Sequence, residues 1–154
     1  GVIKQGYHTI SIGGVRSRDV IANLDNMEQY VSEKTKQMLP SDIVKEGYRL
    51  DFRFYGRDAV LGRLEPLKGQ SIYEVGVVIE GIAQTQEKAD TVCALARCLA
   101  LHYGFEDRKS TAGNIAFPFS PSDFSGGAIY EFNIYHLMEV EDASEFFPVE
   151  FKEI

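Results

Sequence analysis

The residues best suited to chemistry fall in two alternating runs. In residues 48–55, Arg53 and Tyr55 stand two apart, and in residues 128–138, Glu131, Asn133 and Tyr135 do the same. Side chains two apart on a strand share a face, so each run offers a row of hydrogen-bonding groups. Such a face is usually a solvated or domain-packing surface. The alternative is a ligand- or partner-binding site built on Arg53, Tyr55, Glu131, Asn133 and Tyr135. The loop ahead of the second run adds Ser120 and Asp123 to those candidates. Ser120 or Ser122, Asp123 and His136 contain the residue types of a nucleophilic triad. Neither serine lies in a Gly-x-Ser-x-Gly elbow, however, and local capping explains Ser122 and Asp123 in a turn. No catalytic residue is assigned.

Three other patterns carry less. Cys98 and His102 have the i, i+4 spacing of a metal pair on one helix face, but no second pair accompanies them. His8 and His136 are distant in sequence and have no ligand neighbours there, so neither metal nor cofactor is expected. Gly13-Gly14-Val15-Arg16-Ser17 precedes a helix and reads as a strand-to-helix turn, since the spaced glycines and the Gly-Lys-Ser/Thr of nucleotide loops are absent. Glu139, Glu141, Asp142 and Glu145 read as a solvated linker, without the spacing of a calcium loop.

The elements that position these residues follow from periodicity. Residues 7–12 alternate as a strand, with His8, Ile10 and Ile12 opposite Tyr7, Thr9 and Ser11. Val20, Leu24, Met27 and Val31 then mark one helical stripe, which predicts a helix over 18–37 with Ser17 as its N-cap. Residues 41–47 read as connector. Residues 48–55 form a strand with Leu50, Phe52 and Phe54 on its apolar face, and 59–64 read as a short hairpin partner. Residues 72–82 are the most strand-like, with Val75, Val77 and Ile79 opposite Glu74, Gly76, Val78 and Glu80. Thr85 caps a second helix over 86–103, buried through Ala89, Val92, Cys93 and Ala96, with Gly104 expected as a left-handed stop. Pro118 and Pro121 break regular structure before the last strand, Gly126 and Gly127 release the chain into 128–138, and 148–154 read as an edge segment. Strand, helix, strand, strand, helix, strand is the order of a ferredoxin-like split βαβ, an α+β fold with a mainly antiparallel sheet and both helices on one face. The opposite face then has no helix to cover it.

A chain of 154 residues with 44% apolar content fits a single domain with a sizeable core. Its net charge of −7 repels phosphate backbones, which excludes nucleic acid as an expected partner. It has no apolar run of about 18 residues, so no membrane partner is expected. Cys93 and Cys98, roughly 140° apart on a helix, do not bridge one another. Two unpaired thiols point to a reducing, cytoplasmic setting.

The runs NIAFPFSPSDF, YEFNIYHLMEVED and FPVEF, preceded by LDFRFYGRDAVLGRLEP and VVIEGIAQTQEKADTVCALARCLALHYG, resemble the C-terminal part of the acyclic terpene utilisation protein A family. The resemblance covers nearly the whole chain from residue 12 onward. It implies a link to bacterial breakdown of acyclic terpenes such as citronellol and geraniol. Family members are longer, with an N-terminal α/β region, which implies that this chain is a C-terminal fragment of a longer protein. The start at Gly1 fits that expectation, and equally a trimmed N-terminus or a tag scar. The family supplies no catalytic residue that maps onto this segment. The expectation is an accessory, assembly domain whose partner is that N-terminal region or a sister chain, with a homo-oligomer expected. Charge reversal at Arg53 should then weaken the contact and leave the fold nearly intact. The alternatives are an enzyme acting on a small acyl or terpenoid substrate through residues 120–123 and Arg53, or a stand-alone dimeric ligand-binding module.

Overall fold

The computed structural model describes residues 1–67, 69–106, 108–109, 114–134, 136–142, 144 and 146–152. Strand β1 (Val2–Val15) leads into two helical segments, α1 (Arg18–Ala22) and α2 (Leu24–Met38), and a short α3 (Ser41–Glu46). Strand β2 (Arg49–Tyr55), a 3-10 turn at Gly62–Leu64, β3 (Val75–Ala83), α4 (Gln86–Leu101) and β4 (Asp123–Phe132) complete the order. The sheet runs β2-β3-β1-β4, and each neighbouring pair is antiparallel. This is the expected ferredoxin-like split βαβ arrangement.

The helices cover one face, as their stripes require. Leu24, Met27 and Val31 of α2 and Cys93, Ala96 and Ala100 of α4 share a core with Phe54, Val75, Val77 and Ile79 of the sheet. Emptying such a site costs about 2–5 kcal/mol for a Leu or Met cut to Ala. Tyr30 beside α2's stripe packs on Tyr103 past the end of α4, ring centroids 5.3 Å apart. No helix among the described residues is long and apolar enough to cross a membrane.

Several expected elements differ. The helix over 18–37 is split at Asn23, which ends α1 with its N–H on the Val20 carbonyl and starts α2 by accepting from Met27 N. The Asn23 side chain also donates to the Asp19 carbonyl at 2.8 Å, competing with the helical ladder as Asn does. The connector at 41–47 contains α3, whose Ile43 packs with Leu39 and Val92 and whose Asp42 and Glu46 pair with Lys88 of α4. Residues 59–64 form turns rather than a hairpin strand, because Gly56 and Gly62 take positive φ and fold the segment back on itself. The second long helix ends at Leu101 with His102 as its C-cap, and Gly104 is not left-handed.

The last strand lies earlier than its sequence suggested. It begins at Asp123, carries Gly126 and Gly127 inside it, and ends at Phe132. A register shift between His8 and Thr9 accommodates the two glycines as a bulge. Asn133 and Ile134 lie past the strand, and Tyr135 lies outside the described residues. No strand covers 148–152. At the other end, Val2–Lys4 pair with Tyr130–Phe132 beyond the point where β3 joins β1, so the sheet narrows there to a two-stranded ribbon.

Candidate functional site

Alternation along β1 decides which groups reach each face. Thr9, Ser11 and Val15 are buried beneath the helices, so His8, Ile10 and Ile12 occupy the helix-free face. An apolar reading of β1 would bury the two isoleucines. Polar groups of α4 and β4 reverse it. Asp90 Oδ1 accepts from Thr9 Oγ1, from Gln86 Nε2 at 2.9 Å and from Ser125 Oγ at 2.9 Å. Gln86 Oε1 accepts from Gly127 N at 3.0 Å, and Ser11 Oγ donates to the Ser122 carbonyl at 2.9 Å. Burial pushes the Asp90 carboxyl up, but the hydrogen bonds from Thr9, Gln86 and Ser125 outweigh it and hold it below its usual range. The helix-side surface over β1 and β4 is therefore a polar seam continuous with the apolar core over β2 and β3.

On the helix-free face, three strands bring three charged or titratable groups to one point. Register sets Glu80 of β3 opposite Asp51 of β2 and Ile10 of β1. Arg53 and His8 are thereby its diagonal neighbours, within reach of long side chains. His8 Nδ1 meets Glu80 Oε1 at 2.6 Å, and Arg53 Nη1 donates to Glu80 Oε2 at 2.7 Å. Glu80 is only 9% exposed. Burial alone raises its pKa, yet the hydrogen bonds from His8 and Arg53 and the Arg53 charge bring it below the ordinary glutamate value. The same bond raises Arg53 above its ordinary value against the opposing effect of burial. An ion pair costs desolvation at such a site, and two partners on one carboxylate offset that cost.

His8 also depends on β4. A Cβ on Gly126 would collide with His8 Nε2, Cδ2 and Cε1, so the imidazole occupies the space a side chain at 126 would fill. Gly126 has no positive φ. Its want of a side chain serves the histidine rather than the backbone.

The residues singled out from the sequence do not meet in one site. Arg53 and Tyr55 lie on the helix-free face of β2, Tyr55 49% exposed and lining a cleft of about 530 Å³ with residues 56–60 and 70–74. Ser120 sits in the exposed bend before β4. Asp123 turns to the helix side, where Arg97 grips it with Nε and Nη2 at 2.7 and 3.0 Å. Glu131 is exposed near the far end of β4, and Asn133 follows the strand with its N–H on the Gly1 carbonyl. Arg53 and Asp123 are three strand spacings apart, roughly 14 Å, and point to opposite faces. The Ser122 hydroxyl is spent on the Phe119 carbonyl, and among the described residues no hydrogen bond joins His136 to Ser120, Ser122 or Asp123.

His8 and Glu80 were not among the residues first singled out. Sequence proximity gives His8 no ligand neighbour, because its partner Glu80 is remote in sequence. The available signal was an acidic residue inside the most apolar strand, opposite a strand carrying arginine on its polar face.

The chain matches no family model, no curated protein and no solved structure.

Proposed function

We propose that this chain is an assembly domain whose helix-free sheet face is a contact surface covered by a second polypeptide. The observation that carries this reading is the make-up of that face. Ile12, Phe124 and Tyr55 are 36%, 37% and 49% exposed, around a carboxylate already withdrawn from water, with no helix among the described residues above them. Tyr and Arg bury area while keeping polar ends satisfied, which suits an interface. The partner is a sister chain or the N-terminal region of a longer parent protein, in the cytoplasm. The sequence resemblance supports linking the assembly to breakdown of acyclic terpenes, with this domain accessory to catalysis.

Arg53 is the wrong residue on which to test the contact. It is tied to Glu80, so Arg53→Glu would set a second carboxylate against a buried one and destabilise the fold. Tyr55→Glu combined with Ile12→Glu alters the face without touching that ion pair. Light scattering should show the wild type as an oligomer, or as a complex with the N-terminal region, and the double variant as a folded monomer. A wild type that is monomeric and binds neither partner rejects the reading. A double variant that assembles as the wild type does also rejects it.

A further inference from the structure

The His8–Glu80 pair has the build of a proton-transfer dyad. Glu80 holds its charge between two donors, so the imidazole nitrogen facing it carries the proton. A neutral imidazole with Nδ1–H leaves its lone pair on Nε2, because the bond made by one ring nitrogen sets the state of the other. Nε2 lies over Gly126 on the helix-free face, and the His8 side chain is 24% exposed. Its surroundings are largely apolar: Ile10 from its own strand, Ile82 opposite it on β3, and Phe124 on β4 opposite Ile10. The charged groups on its face are Glu80 of β3, Arg53 beyond it on β2, Asp51 of β2 opposite Glu80, and Arg49 of β2 opposite Ile82 and paired with Asp51.

The aliphatic hydroxyls of β1 and β4 are out of its reach. Thr9, Ser11 and Ser125 point to the helix side and are bonded there. The dyad therefore has no serine or threonine of these strands to activate, which leaves a bound molecule as the source of the proton it takes.

We propose that His8 is the general base of a small-molecule site on this face. The substrate class is a carbonyl compound with an apolar body and a proton on the carbon next to the carbonyl. Nε2 takes that proton, the C–H electron pair moves to form the enolate, and the carbonyl oxygen takes the negative charge. Arg53, bonded to the other oxygen of the same carboxylate on the side away from Gly126, holds Glu80 in place. Return of the proton from Nε2 to the same carbon gives exchange. Return to a conjugated carbon gives a double-bond isomer, and neither outcome needs an oxidant or reductant. Glu80 is a positioning residue, acting through His8. The proposal goes beyond the contact surface and does not rest on it.

The probe is cyclohex-3-enone, whose isomerisation to the conjugated enone is followed by absorbance, with deuterium uptake from D2O followed by NMR. The 154-residue chain should accelerate isomerisation over buffer. His8→Gln should lose about 100-fold or more in rate. Glu80→Gln should lose about 10-fold in kcat with KM little changed. Gly126→Ala, which displaces the ring, should lose rate as His8→Gln does. Thermal melts identify variants that have simply unfolded. Imidazole 15N spectra of the wild type should show the Nδ1–H tautomer, a readout independent of any variant. Buffer-level rates in the wild type, undiminished rates in a folded His8→Gln, or an Nε2–H tautomer would each overturn the proposal. Light scattering on the same samples, with and without the N-terminal region, separates the two readings: a chain that accelerates the reaction but stays monomeric and binds neither partner rejects the contact surface and keeps the base.

Discussion

Arg97 in α4 and Asp123 at the head of β4 form a two-pronged ion pair, Nε to Oδ1 at 2.7 Å and Nη2 to Oδ2 at 3.0 Å. It fastens an edge strand to a helix where the layer between them is polar. Both side chains are less than a quarter exposed, and the planar fork matches a carboxylate in geometry. Asp123→Ala should destabilise the fold by about 1–3 kcal/mol. The midpoint of urea unfolding should fall while its slope stays constant. An unchanged midpoint would mean the pair contributes no more than an exposed surface bridge.

Acid should act through Glu80 and Asp90. Each has a folded pKa below its ordinary value. A depressed carboxylate contributes stability that is fully present above its unfolded value, about 4, and is lost as pH falls through its folded value. Unfolding free energy should therefore be nearly level from neutrality to about pH 5 and fall below that. Glu28, whose carboxyl is pushed up by burial, works with the opposite sign and softens the fall. Glu80→Gln and Asp90→Asn should each be less stable than wild type at neutral pH, with curves that converge on it in acid. Parallel curves from urea titrations at a series of pH values would refute this assignment.

Close approach of α4 to β3 rests on Gly81. A Cβ there would stand 2.8 Å from Cys93 N and 3.0 Å from the Ala89 carbonyl oxygen, both backbone atoms that cannot swing aside. Gly81→Ala should cost about 1–3 kcal/mol through overpacking, measured by denaturant unfolding. A neutral result would show that the helix can ride up on the sheet.

The two cysteines should differ in reactivity. Cys93 is fully buried, and burial, with the nearby Asp123 charge, pushes its thiol up to about 12. Cys98 is exposed. A thiol reagent at neutral pH should label one site in the folded chain and two after denaturation, since the thiolate is the reacting form. Rapid labelling of Cys93 in the folded chain would contradict the packing of α4.

The architecture was legible because its stripes are strong. Val20, Leu24, Met27 and Val31 at helical spacing, and Val75, Val77 and Ile79 at strand spacing, leave few other ways to bury so much apolar surface. Asn23 escaped because its break is local hydrogen bonding inside a continuous stripe. Helix α3 escaped because it buries little besides Ile43, and β4 was misplaced because paired glycines look like a boundary when they form a bulge. Arg53 and Tyr55 reached the helix-free face as alternation required. The arrangement around Glu80 could not be read, because it is made by register across three strands and no local pattern encodes register between distant segments. For β1, alternation separated the two faces without saying which is buried: the isoleucines face outward and Thr9 and Ser11 inward, where Asp90 and the Ser122 carbonyl receive their hydroxyls.

The position of β1 at the centre of the sheet has a further consequence. Its two neighbours are β3 and β4, and the contact between Ser11 and Ser122 spans 111 residues. Nothing adjacent in the chain pairs with it as a hairpin. Of the four strands, the first to be synthesised is thus the last to be completed, and one of its edges stays open until β4 emerges. Loop closure must precede the reward of pairing, which predisposes such a topology to slow folding. In the interval β1 presents a long unpaired edge bearing Ile3, Ile10 and Ile12, a template for joining another chain's strand. The same strand that carries His8 is therefore the point at which nascent copies of this protein are most exposed to one another.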